Sequence, residues 1–150
     1  MTLYFDSSYL FRLYSTESGA DEVRCLAARA DVVVSAWHAR AEIASTFLRK
    51  RRERAAPEAA LEEARAQFAE ELESGNIRML PLDDSVMRRV ESVMGAVPAD
   101  TCLRAADALH LACAAGHGFR EVYSNDRHFL AAAPSFGLVG VNVIHGAGGG

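Results

Sequence analysis

Short β-prone runs alternate with helical patterns from one end of the chain to the other, and this alternation restricts the fold more than any other feature. The runs are TLYF (2–5), DVVVS (31–35), NIRMLPL (76–82), EVYS (121–124) and LVGVNVI (138–144). Helical patterns fill the gaps at about 7–14, 17–29, 36–54, 57–74, 84–95, 101–115 and 125–133, with Ser35 and Asp83 or Asp84 as caps and Gly75 as a stop. Strands alternating with helices predict an α/β sandwich around a central, mainly parallel sheet. No repeat, linker or low-complexity block divides the pattern. One domain over 1–145 is expected, with a frayed Gly-rich tail over 146–150. In such a sheet a ligand site lies beyond the carboxyl ends of the strands.

At 150 residues the chain can bury a real core. Its formal charge of −4 argues against gripping nucleic acid by bulk positive charge. Lys50 is the only lysine, which leaves no Gly-rich phosphate loop of the Lys-Ser or Lys-Thr type. Cys25, Cys102 and Cys113 form no Cys-x-x-Cys pair, and reduced, buried thiols in a cytoplasmic protein are expected. No stretch approaches the ~20 apolar residues of a membrane span.

Four acids stand out. Asp6 and Asp126 directly follow strands, where each could cap the next helix or open onto the sheet edge. Asp107 sits in LRAADALHLACAA (103–115), an apolar helix in which a carboxylate is costly unless paired or metal-bound. An ion pair with Arg104 at i−3 is the simplest account of it. Glu42 falls opposite the apolar face drawn by Ala36, Trp37, Ile43, Ala44, Phe47 and Leu48, and periodicity alone makes it a solvated glutamate. Of the five histidines, His110 reads as packed and hydrogen-bonded, His38 as exposed, His128 as near a cleft rim, and His117 and His145 as incidental. RKRRER (49–54) is the only basic run, and it suits a helix C-terminus or a phosphate-steering patch through Arg49, Arg51 and Arg52.

YFDSSYLFRLY, the glutamate of SAWHARAEIASTFLRKR, LRAADALHLACAAG and EVYSNDRHFLAAA occur in that order. Together they resemble a PIN domain, and specifically the VapC-type toxin ribonucleases of bacterial toxin–antitoxin pairs. The resemblance implies a Mg²⁺ or Mn²⁺ site made by Asp6, Glu42, Asp107 and Asp126, with Ser8 and Ser124 as supporting residues. It implies a metal-dependent endoribonuclease that hydrolyses RNA phosphodiester bonds by an activated water. It also implies a homodimer and a VapB-type antitoxin whose arginine or lysine neutralises the acids, and Arg49, Arg51 and Arg52 are then an antitoxin contact as much as an RNA one. The other reading is a PIN-fold module that binds RNA or protein without catalysis. Phosphotransfer folds fit poorly, because a haloacid-dehalogenase-like enzyme wants Asp-x-Asp where this chain has Asp6, Ser7, Ser8, and a receiver domain wants a late lysine.

Overall fold

The computed structural model describes residues 1–146, and the expected tail lies outside the described residues except for Gly146. Strands β1 (Thr2–Tyr4), β2 (Val32–Ala36) and β3 (Ile77–Leu80) pair in parallel in that order. Strands β4 (Glu121–Tyr123) and β5 (Val139–Val141) form a second parallel pair. A parallel bridge between Phe5 and Tyr123 joins the two, and the Asp6 amide donates to the Tyr123 carbonyl at 3.0 Å. The spatial order is therefore β3-β2-β1-β4-β5. The chain builds outward from β1 on one side, then returns to build outward on the other. The carboxyl ends of β1 and β4 thus meet where the strand order reverses, the place where open α/β sheets bind ligands.

Among the described residues seven α-helices connect the strands: α1 (Ser7–Arg12), α2 (Ala20–Ala27), α3 (Ala39–Arg52), α4 (Glu58–Ser74), α5 (Asp84–Ala96), α6 (Ala105–Gly116) and α7 (Arg127–Ala132). The period-2 alternation of the strands splits the core into two layers. Leu3, Phe5, Val33 and Ile77 pack with Tyr9, Val23, Ile43 and Phe47 from α1, α2 and α3. Tyr4, Val34, Ala36 and Val122 point the other way, onto α6, Val86 of α5 and Phe129 of α7. Ala108, Leu111, Ala112, Cys113 and Ala114 of α6 are all inside, which explains its Ala-rich pattern. Small side chains let the helix lie close to the sheet.

Several sequence expectations change. Ser35 is no cap: it stays in β2 opposite Met79, wholly buried, because the β2–β3 ladder runs on to Ala36 and Leu80. Helix α3 therefore starts three residues later than expected, and its buried stripe is Ala39, Ile43 and Phe47. Trp37 and Leu48, placed on that face by the wheel, are 56% and 54% exposed; Trp37 instead lies beneath the Arg40 guanidinium, 4.9 Å from the ring centroid. Helix α6 starts at Ala105 rather than 101, since TCLR offers no side-chain cap and Arg104 is extended. Asp107 is thus a first-turn residue, not a mid-helix one. Of the three cysteines only Cys113 is buried; Cys25 and Cys102 are exposed on helix and loop surfaces. Among the described residues no helix is long and apolar enough to cross a membrane.

Candidate active site

Asp6 caps α1 directly after β1. Its Oδ1 accepts from the Tyr9 amide at 3.0 Å and from the Ser8 hydroxyl at 2.7 Å, and its Oδ2 accepts from the Ser124 hydroxyl at 2.5 Å. The carboxylate is 4% exposed. Burial pushes its pKa up, against the opposing pull of His110 and of these three hydrogen bonds. Asp126 caps α7 in the same way after β4: its Oδ1 accepts from the amides of His128 and Phe129 at 2.8 and 3.1 Å, and its Oδ2 is left over. The capping and functional readings of these two aspartates are compatible because each task uses different oxygen lone pairs. Ser124 and Ser8 tie the loops together. Ser124 Oγ also accepts from the Asp126 amide at 2.9 Å, and Ser8 Oγ accepts from the Asn125 amide at 3.4 Å.

Asp107, half-buried in the first turn of α6, stands beside unpaired helix amides and the positive end of the helix dipole. Even so its pKa rises to about 6: burial is the main cause, and the negative charges of Asp126 and Asp6 add to it. The three aspartates therefore share one negatively charged site. Arg104 does not form the expected ion pair with Asp107. As the extended residue before the helix it escapes the i,i+3 geometry, and its Nη2 lies 3.8 Å from Asp126 Oδ2, at the edge of ion-pair distance.

Glu42 is partly buried and paired rather than fully solvated. His110 Nε2 donates to Glu42 Oε1 at 2.7 Å, and His38 Nε2 is 3.4 Å from the same oxygen. Burial works to raise the Glu42 pKa, but the His110 hydrogen bond and the two imidazoles prevail and the net shift is downward. His110 is 1% exposed and packed, as its sequence position suggested. A carboxylate only accepts, so Nε2 carries a proton toward Glu42, and Nδ1 lies at hydrogen-bond distance, 2.9 Å, from the Tyr4 hydroxyl. His38, expected to be exposed, is mostly buried and donates from Nε2 to the Ala106 carbonyl at 2.9 Å. Burial and the neighbouring His110 lower its pKa. Among the described residues, the one trio of ligand-type side chains whose donor atoms all lie within 4.8 Å is His38, Glu42 and His110. Both imidazole Nε2 atoms there face oxygens as donors, so the trio as built orients Glu42. The Tyr4–His110–Glu42 chain was not legible in the sequence, because 68 residues separate His110 from Glu42 and 106 separate it from Tyr4.

A cleft of about 610 Å³ opens at Glu42 and Asp126, lined by Ser7, Ser8 and Arg12 of α1, Glu42, Thr46 and Arg49 of α3, and Asn125 and Asp126 after β4; Asp6 and Asp107 lie outside its lining. Of the basic run, Arg49 reaches this cleft, Lys50 pairs with Glu17, and Arg51 and Arg52 are exposed at the helix end.

The PIN-domain family model matches residues 3–133. The chain belongs to the PIN-domain family. That span holds all four acids and both serines of the site. Searches of curated proteins find no match. Among solved structures, this PIN domain is similar to VapC20 of Mycobacterium tuberculosis, a toxin that cleaves the sarcin–ricin loop (20% identity, 87% of this chain and 94% of that one, TM-score 0.65). It is also similar to VapBC2 of Rickettsia felis bound to a fragment of promoter DNA (11% identity, 95% and 98% covered, TM-score 0.62) and to a toxin–antitoxin complex from Klebsiella pneumoniae (15% identity, 93% and 95% covered, TM-score 0.58). At these identities the likeness establishes the fold that the α/β alternation predicted.

Proposed function

We propose that this PIN domain is a VapC-type endoribonuclease toxin, restrained by a cognate VapB-type antitoxin. The observation that carries the reading is the gathering of Asp6 and Asp126 after β1 and β4 and of Asp107 in the first turn of α6, where burial above all, and then the charges of Asp126 and Asp6, raise Asp107 to about 6. Three acids gathered at such a cost are suited to a cation. The donor set is carboxylate oxygen, which fits Mg²⁺ or Mn²⁺ rather than a softer metal. Asp6, Glu42, Asp107 and Asp126 would hold it, and Ser8 and Ser124 fix the orientation of Asp6. When bound, such an ion supplies Lewis-acid activation of water and neutralises charge building on the phosphate.

The protein's own groups prepare the site. Asp6 is locked by three donors and cannot rotate away. Glu42 is held ionised by the His110 Nε2 proton at Oε1, and the residue lines the cleft. Asp107, raised to about 6, is the acid most responsive to a bound cation. The cleft is open and polar, as a strand of RNA with splayed bases requires. The antitoxin reading is supported by the likeness to toxin–antitoxin complexes. An acidic cluster is also a natural seat for an arginine fork. A homodimer and a cytoplasmic setting belong to the same proposal.

Purified protein should cleave RNA in Mg²⁺ or Mn²⁺, lose the activity in EDTA, and lose it as Asp107→Asn. Cleavage persisting in EDTA, or in the folded variant, would overturn the mechanism. Growth arrest on expression should be relieved by co-expressing the adjacent small open reading frame. Size-exclusion chromatography with light scattering reads both the homodimer and the toxin–antitoxin complex.

A further inference from the structure

We propose that Arg12 and Arg49 form a phosphate subsite in the cleft, holding a backbone phosphate of the bound strand that neighbours the one cleaved. The inference rests on the nuclease reading above and adds to it where the strand is gripped. Arg12, in the last turn of α1, donates from Nη1 to the Ser8 carbonyl at 3.0 Å and from Nε to the Ser18 carbonyl at 3.1 Å. Both acceptors are neutral. They fix the guanidinium without cancelling its charge, and three of its five N–H donors remain. Arg49 approaches the same cleft from α3. Seven residues from Glu42 and on its side of the helix, it lies about 10 Å further along the axis.

Among the described residues neither arginine has a carboxylate at ion-pair distance, whereas Lys50 is occupied by Glu17. Glu17, which also lines the cleft, is thereby paired. The cleft is zoned: acids at the sheet edge, two uncompensated guanidinium groups beyond them. A phosphodiester offers two non-bridging oxygens, and a guanidinium binds such a pair through parallel hydrogen bonds. Ser8 couples the zones. Its hydroxyl holds Asp6 and its carbonyl holds Arg12, so the spacing between acid and cation is built into one turn of α1.

The test uses the full chain and a fluorescein-labelled, mixed-sequence 12-nucleotide single-stranded RNA. Binding is read by anisotropy in EDTA across a salt series, and cleavage is read separately in Mg²⁺. Arg12→Ala and Arg49→Ala should each reduce the slope of log K against log salt by about 0.7. In cleavage each should raise KM by roughly 10-fold, with kcat little changed. Arg12→Lys, which keeps the charge, should retain the slope, and this guards against a folding defect in the alanine variant. Unchanged slopes in both alanine variants would overturn the subsite. So would a loss confined to kcat, or lost affinity for the antitoxin with RNA binding intact. A wild-type chain that shows these slopes but cuts no RNA would overturn the nuclease reading and leave the subsite standing. A chain that cuts RNA with slopes unaltered would overturn the subsite alone.

Discussion

Asp107 shows how position and neighbours together set a group's chemistry. Its carboxyl holds a proton up to about pH 6 in the folded protein, whereas the ordinary value is 3.8. Between those values the folded state binds more protons than the unfolded chain, so stability of the metal-free protein should fall as pH rises from about 4 to 6. Asp6, also raised, acts in the same direction. Cation binding needs the ionised form, so Mg²⁺ affinity should rise with pH across the same window, with proton uptake by the buffer. Titration calorimetry in two buffers of different ionisation enthalpy measures it, and Asp107→Asn should flatten both dependences. At His110 a substitution acts on several groups at once. His110→Ala removes a buried ring, leaves the Tyr4 hydroxyl without its partner, and strips Glu42 of its 2.7 Å hydrogen bond, with His38 at 3.4 Å remaining. It should cost about 3 kcal/mol in chemical denaturation and weaken Mg²⁺ binding by roughly 10–100-fold.

At the scale of elements, the helix starts hold the site. Asp126 is both the cap of α7 and a member of the acidic cluster, and the two tasks can be separated. Asparagine caps nearly as well as aspartate, so Asp126→Asn should melt close to wild type while cleavage falls by roughly 10²-fold or more, the scale of losing one well-placed electrostatic group. Asp126→Ala should lose the activity and about 1 kcal/mol of stability as well. Asp83 offers the control: its Oδ1 caps α5 by accepting from the Val86 amide at 3.0 Å. Asp83→Ala should cost about 1 kcal/mol and leave cleavage intact. Strand β5 is held close to α7 by a missing side chain. A Cβ on Gly140 would lie 2.9 Å from Leu130 Cδ2 and 3.1 Å from Leu130 Cα. Gly140→Ala should therefore destabilise by about 1–3 kcal/mol, read by thermal melting.

For the whole molecule, the site is assembled from segments far apart in the chain, so loading it should tighten the fold. At a Mg²⁺ concentration 100 times its Kd, linkage adds about 2.7 kcal/mol, and Tm should rise by roughly 5–10 °C. EDTA should reverse the rise, and Asp107→Asn should not show it. The sequence by itself determined the α/β class, the parallel strands and the placement of Asp6 and Asp126 at strand ends, because these follow from local periodicity and from residues adjacent in the chain. It also marked Asp107 as a charge in an apolar helix. Only the tertiary structure decided that Glu42 faces His110 rather than water, that Arg104 leans to Asp126, and that Arg12 and Arg49 converge on one cleft. Those relations depend on how the layers meet across the sheet, and a helical wheel drawn on one segment carries no information about what the next layer places against it.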